Sequence, residues 1–436
     1  MAIADIYGST KMFPKTGFYD VQKTLIDNQA SDSLFSARDP LFHRSQKRVV
    51  ANAYSMTAVL GMEDRIDSCI TLLLDQLGKE SREGLTVDLG EWLQLFAFDV
   101  TGEISFSKKL GFLHEGRDLD GIMATIQDQL SYGNLIGQIP ELHYLLFGNR
   151  YFRMLFPEME KRNHIVQFTM KAVNAKLGSS ATTAKSEQGS VNSEEHEEKG
   201  QDMLSRWWAI HEKDPEKVSK REIIIHLINN VMAGSDTQAI SLRSVLNNLM
   251  RDPVRLGKAQ KEVDDASAAG KLSHRITYTE VTTHLPYICA SIKEGMRLHP
   301  SVGQLLERHV PAGGAAICGK YFPEGTVVGV NAWASQRHPE FFENPDDFVP
   351  ERWLESSPMQ LKEMERALFY FGGGSRTCIG KNIALSSMHK VVANLLREFD
   401  MKLHNPSKAL NIICKGIAIQ TGLLVDFTER TSSGKS

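Results

Sequence analysis

The stretch SKREIIIHLINNVMAGSDTQAISLRSVLNNLMRDP constrains the chain most, because it reads as one helix long enough to cross a whole domain. Ser219 followed by Glu222 is a capping-box pattern and Pro253 supplies the stop, giving roughly 30 residues and about 45 Å at the α-helical rise. Apolar residues on several faces predict that this helix is buried. A buried helix carries the polar run AGSDT, Ala233 to Thr237, at a cost unless that run has partners or a task.

On either side, from Arg48 to about Lys176 and from Met203 to about Phe399, apolar residues recur at three- and four-residue intervals, so helix dominates. Short runs after residue 300, AAICGKYF and GTVVGVNAW, predict a small sheet. The fold class is mainly α with a small β portion. The segment 178–202, rich in Ser, Thr, Gly and acidic residues, reads as an exposed low-complexity loop within a single domain over 1–436, with an interdomain linker as the other reading. A formal net charge of −3 offers no basic field for nucleic acid. No run reaches the ~18 apolar residues of a membrane span, and the N-terminal sequence lacks the apolar core of a signal peptide.

The cysteines Cys69, Cys289, Cys318, Cys378 and Cys414 are scattered without CxxC spacing, which argues for a reducing compartment and against a zinc ribbon. Cys378 stands apart. It lies in FYFGGGSRTCIGKNIAL, just before a helix whose apolar face runs through Ile383, Met388, Val391, Leu395 and Phe399. Free amides and the helix dipole at such an N-terminus favour a thiolate. Glycines 372 to 374 let a bulky flat group approach the backbone, and Arg376 offers a cation. A structural thiol, a nucleophile and an axial ligand to haem iron are the competing readings.

The pattern Phe371, Gly374, Arg376, Cys378, Gly380 resembles the FxxGxRxCxG haem-binding signature of the cytochrome P450 family, and chance would produce it in fewer than about 1 in 10⁴ chains of this length. The resemblance implies that Cys378 is the proximal thiolate of iron protoporphyrin IX (haem b), with its electron push toward O–O cleavage. Other elements resemble the family in order. Glu294 and Arg297 match its ExxR pair, and Pro350, Glu351 and Arg352 match the PER segment whose arginine completes a Glu–Arg–Arg network. AGSDT matches the oxygen-activation motif, which implies proton delivery by Asp236 and Thr237. In that setting Gly234 would clear a groove for O2, and the Thr237 hydroxyl would bond back to the Ala233 carbonyl or to a water in that groove. His43 and Lys47 stand where the family carries a Trp or His and an Arg toward the haem propionates. Lysine cannot make arginine's bidentate contact, so Arg48 is a candidate substitute. Arg308 matches a further propionate partner of Arg376.

By family position the substrate would meet His226, Asn230, Ala233, Gly234, Val302, Leu305 and the turn near 417–422. These are mostly apolar and suit a medium-sized lipophilic molecule. NAYSM, AGSDT and NPDDFVPERWL look most like microsomal fungal members, the pisatin-demethylase-like group included, which implies secondary metabolism. Electrons would come from NADPH-cytochrome P450 reductase docking near Arg44, Lys47, Arg48, Lys381 and Lys390. Relative to microsomal members the sequence begins late, without the usual anchor, hinge, first helix and first strands. The stripe Pro140 to Pro157 resembles the family region that dips into the bilayer, with buried core as the competing reading, so a peripheral contact at the endoplasmic reticulum surface is expected. The expected activity is O2-dependent hydroxylation or epoxidation. A haem-thiolate isomerase or dehydratase and a non-catalytic haem or ligand binder are the alternatives.

Overall fold

The capping box at Ser219 forms: the Ser219 hydroxyl accepts from the Glu222 amide at 3.2 Å, and Glu222 Oε2 accepts from the Ser219 amide at 2.7 Å. The computed structural model describes residues 2–8, 12–27, 29–155, 163–183 and 200–430. The helix opened by that box covers Lys220–Gly234, and a second covers Asp236–Arg251. The single long helix read from sequence is therefore two consecutive helices meeting at Ser235 (φ −84°, ψ −65°). Side chains compete with the backbone ladder at this point: Ser235 Oγ donates to the Val231 carbonyl at 3.2 Å and Thr237 Oγ1 to the Ala233 carbonyl at 2.7 Å.

Helices surround this pair. Leu89–Phe106 is buried along its length except at Glu91, Trp92 and Glu103, so it is a core helix, one that carries the polar residues Gln94, Asp99, Thr101 and Ser105 inside. Gly234 faces it, since a Cβ there would lie 2.8 Å from Thr101 Oγ1. The helix Pro286–Leu298 packs still closer on the other member of the pair: a Cβ on Gly295 would lie 3.0 Å from Val245 Cα, and Ser244 Oγ donates to the Gly295 carbonyl at 2.8 Å. Lys381–Glu398, the helix following Cys378, is buried almost continuously from Ser386 to Leu396.

The strand content is small, as expected, but it is dispersed. AAICGKYF is a hairpin pairing Ala315 with Phe322, and its turn residues Cys318 and Gly319 both have positive φ, as a tight two-residue hairpin turn requires. A three-stranded sheet joins Val87–Asp88, Leu424–Glu429 and Phe399–Leu403, bringing together segments more than 300 residues apart. A hairpin at Thr24–Ile26 and Gln29–Ser31 precedes any strand read from sequence. The exposed loop assigned to 178–202 is narrower than read. The helix Asn163–Thr183 enters it, residues 184–199 lie outside the described residues, and Asp202 is a buried N-cap of Met203–Lys213.

Glu294 and Arg297 are both fully buried and pair at 2.7 and 2.8 Å. Arg352 Nε reaches the same carboxylate at 3.0 Å, and Trp353 Nε1 donates to it at 2.9 Å. Every donor is directed, which is the condition under which a buried ion pair is tolerated. Glu294→Ala would leave the Arg297 guanidinium uncompensated at zero exposure, so we expect a loss of about 3–5 kcal/mol and failure to retain haem. Gly295→Ala, which forces two backbones apart, should cost about 1–3 kcal/mol. Urea unfolding and the haem content of the purified variants check both.

Candidate active site

The Cys378 loop is shaped by its own backbone bonds. The Gly372 amide donates to the Phe369 carbonyl at 2.8 Å, Thr377 to Gly374 at 3.2 Å and Cys378 to Phe371 at 2.9 Å. Gly374 has φ +61°, and a Cβ there would lie 1.8 Å from the Tyr7 carbonyl oxygen. The glycine run therefore admits the N-terminal helix Ala2–Tyr7, a demand the sequence did not show. On the other side of the cysteine, a Cβ on Gly380 would meet open space. The helix Lys381–Glu398 starts three residues after Cys378, with Gly380 as its N-cap. Cys378 is crowded by the neighbouring chain, yet the residue retains exposed surface. Burial pushes this thiol up, while the Gly380 and Lys381 amides and the Lys381 and Lys47 cations pull it back. The helix end alone thus does not make the thiolate expected from sequence; a bound metal cation, which deprotonates a coordinating thiol outright, would complete it.

Beside the loop lies a cavity of about 380 Å³ lined by Lys15, His43, Lys47, Arg308 and Arg376 among others. Arg308 is buried and donates to the Tyr19 hydroxyl at 2.9 Å and to the Glu307 carbonyl at 2.7 Å. Arg376 Nη1 donates to the Ala37 carbonyl at 2.8 Å, and Lys47 Nζ to the Ser375 carbonyl at 2.8 Å. Among the described residues, none of Lys15, Lys47, Arg308 and Arg376 has a carboxylate within 4.0 Å. Their repulsion is visible in their acidities. Burial and the Arg308 charge lower Arg376 to about 10. Burial, then Arg376, Lys47 and Lys15, lower His43 to about 3, so His43 is a neutral hydrogen-bonding group. A cluster of cations without an acid around an open cavity fits a group bearing two carboxylates, as haem does. The sequence reading named His43, Lys47, Arg308 and Arg376; it missed Lys15, whose place depends on tertiary pairing. Arg48 lines the same cavity and is exposed.

The central turn separates its residues. Ala233 is exposed and Thr237 half-buried, with the Thr237 hydroxyl back-bonded as expected. The Thr237 carbonyl is held by Ser301 Oγ at 2.9 Å and Ser241 Oγ at 3.1 Å. Asp236 points elsewhere and is buried: its Oδ1 accepts from Gln94 Nε2, and its Oδ2 has no partner among the described residues. Arg243 donates to Gln94 Oε1 at 2.9 Å and to the Gly90 carbonyl at 2.6 Å. Burial raises Asp236 to about 6, against the pull of Arg243 and Gln94. Gln94 and Arg243 were not found from sequence, although an arginine seven residues after Asp236 on a buried helix was an available signal.

Several expected pocket residues already have partners within the chain. His226 is buried, 3.2 Å from Gln46 Oε1 and edge-on to Trp207. Asn230 Oδ1 accepts from the Tyr54 hydroxyl at 2.6 Å. Gly234 is taken up by Thr101, so its missing side chain serves helix packing rather than a groove for O2. Val302, bridged to Ile417, is half-buried and Leu305 is exposed, leaving apolar surface available. Lys390 is fully buried between Glu63 at 2.6 Å and Asp67 at 2.9 Å, which removes it from any docking face. In the stripe from Pro140, Tyr144, Leu145, Tyr151, Met154 and Leu155 are exposed while Phe147 is buried, so most of its large apolar side chains are not core; its residues 156–157 lie outside the described residues.

A family model described as Cytochrome P450 matches residues 5–424. A cytochrome P450 monooxygenase of Aspergillus terreus is 36% identical over 406 residues, 92% of this chain and 79% of that protein. The cytochrome P450 monooxygenase cicH of Emericella nidulans is 34% identical over 409 residues, 93% of this chain and 79% of its own. A crystal structure of a cytochrome P450 superposes with a TM-score of 0.74 at 18% identity, covering 96% of this chain and 85% of that one. Cavity, cation cluster and cysteine loop thus occur in a chain that belongs to the cytochrome P450 family, monooxygenases whose cofactor is haem b held by a cysteine thiolate.

Proposed function

We propose that Cys378 is the thiolate ligand, that His43, Lys47, Arg308 and Arg376 receive the haem propionates, and that the enzyme hydroxylates or epoxidises a medium-sized lipophilic molecule in fungal secondary metabolism. The observation that carries the site assignment is the convergence of an exposed thiol in a crowded loop with the cations Lys47, Arg308 and Arg376, half-buried or buried and without a carboxylate of the described residues within 4.0 Å. Bound haem supplies the reductive cleavage of O2, with electrons from NADPH-cytochrome P450 reductase.

The chain's own groups handle protons. Thr237 Oγ1 donates to the Ala233 carbonyl and keeps its lone pairs free, so it can accept a hydrogen bond from a water and hold it at the exposed turn. Asp236 sits one residue away with its pKa raised to about 6, which keeps it exchangeable near neutral pH. The apolar surfaces of Val302, Leu305 and Ile417 exclude water from the reacting end of a lipophilic substrate. The exposed Arg44, Arg48 and Lys381 offer a basic face for the reductase. Tyr144, Leu145, Tyr151, Met154 and Leu155 give a surface that enters the headgroup region at the endoplasmic reticulum. No helix of the described residues is long and apolar enough to cross a membrane.

Reduced wild-type protein exposed to carbon monoxide should show the red-shifted Soret band of a thiolate complex, and Cys378→Ala should lack it. A wild-type spectrum of the imidazole-ligated type defeats the Cys378 assignment. NADPH- and O2-dependent product formation with added reductase then identifies an oxygenation.

Thr237→Ala should retain haem and divert reducing equivalents to peroxide, measured as peroxide formed per NADPH consumed; unchanged coupling removes the proton role. Asp236 has a folded value of about 6 against an ordinary 3.8. The native state therefore binds this proton more tightly than the unfolded chain, and stability falls as pH rises between those values. The loss is about 3 kcal/mol in all. Asp236→Asn removes the penalty, so its advantage in thermal midpoint should grow from pH 5 to about pH 7 and then level off; an advantage independent of pH contradicts the assignment. Leu145→Asp with Leu155→Asp should lower co-sedimentation with neutral phospholipid vesicles several-fold without changing the Soret spectrum.

A further inference from the structure

Lys15 enters the site through a pairing that no local pattern announces. The segment before it runs beside the strand Arg308–His309: the His309 amide donates to the Pro14 carbonyl at 2.8 Å, and Lys15 and Arg308 form an antiparallel bridge. Residues directly opposite in such a bridge project to the same face, so two cations stand side by side. Both are almost wholly buried, at 5% and 4% exposure. Like charges opposite each other are unfavourable even at a sheet surface, and burial sharpens the penalty.

The surroundings of Lys15 do not relieve it. Its ammonium donates to the Phe35 carbonyl and lies 4.1 Å from the Tyr19 ring centroid and 5.0 Å from that of Phe35. These contacts fix the side chain without neutralising it. Its neighbours are Arg376 and Arg308, and the acid nearest in influence, Asp32, makes no ion pair with it. Lys47, at the position where the family carries an arginine, has directed its ammonium to the Ser375 carbonyl.

We propose that Lys15 is a further anchor for the carboxylates of the haem, supplying the charge-assisted contact that Lys47 cannot make as an arginine would. A shared anion between Lys15 and Arg308 turns their opposition from a repulsion into a clamp. The clamp joins the N-terminal segment to the strand after the Pro286–Leu298 helix, so haem binding and the docking of residues 12–19 are one event. The inference rests on the haem assignment above and adds a residue outside the family's signature motifs.

The test compares Lys15→Met, which keeps the apolar stem over Tyr19 and Phe35, with Lys15→Arg, which keeps the charge. Holoprotein is mixed with excess apomyoglobin and haem transfer is followed by absorbance. Lys15→Met should lose haem roughly tenfold faster, equivalent to about 1.4 kcal/mol, and Lys15→Arg within about threefold of wild type. With haem dimethyl ester in place of haem, wild type and Lys15→Met should release it at equal rates. Equal release of natural haem from Lys15→Met and wild type overturns the proposal, as does an equally large difference with the ester, which would assign the effect to packing. Failure of wild type to bind haem at all would instead remove the assignment beneath it. Should Lys15→Met not accumulate, the propionate-bending bands in the resonance Raman spectra of Lys15→Arg and wild type decide: displaced bands support the contact, and coincident bands overturn it.

Discussion

Glu294 is a carboxylate with no exposed surface, and its oxygens take the Arg297 Nε and Nη2 groups, Arg352 Nε, Trp353 Nε1 and the Val349 amide. The segment bearing Cys378 is tied to this knot by one further side chain. Gln336, fully buried, donates to the Met296 and Arg297 carbonyls at 3.2 and 2.8 Å and accepts from the Phe369 amide at 2.7 Å. Phe369 begins the turn whose amide bonds lead to Cys378. The position of the proposed ligand is thus inherited from a buried ion pair through backbone and amide contacts, each of which tolerates little displacement.

Such a network explains why the sequence was legible where it was. Glu294 and Arg297 are neighbours on a helix face, Ser219 and Glu222 share one turn, and the Cys378 loop closes on residues within ten positions of itself. Local spacing encodes all three. AAICGKYF read as a single extended run, and the turn at Cys318–Gly319 that folds it into a hairpin did not show in the sequence.

What escaped is what depends on residues far apart in sequence. Lys15 meets Arg308 across nearly 300 positions, Gly234 answers to Thr101, Gly374 to Tyr7, and Lys390 to Glu63 and Asp67. A basic residue on a helix after a cysteine looks the same in sequence whether it faces a partner protein or a pair of buried carboxylates. The motif AGSDT was found, but the direction of each side chain was not. A helix advances about 100° per residue, so Asp236 and Thr237, adjacent in sequence, serve different neighbours.

The site departs from full polar satisfaction in two places, and they differ in sign. The cavity near Cys378 gathers Lys15, Lys47, Arg308 and Arg376 without an acid, while the central turn buries Asp236 with one oxygen unpartnered and only Gln94 between it and Arg243. A cationic cluster of this kind destabilises the chain that holds it, and a tightly bound dianion converts the same residues into a stabilising element, so the fold and its cofactor become linked equilibria. Asp236 has no such remedy, because neutralising it by a close arginine would lower its pKa and remove it from exchange near neutral pH. Gln94 resolves that conflict physically. It donates one hydrogen bond to the carboxylate and passes Arg243 to its own carbonyl oxygen, holding the acid in place while keeping the full positive charge one side chain away. On the proposed assignment, the cationic half of the site is neutralised on loading and the acidic half remains poised.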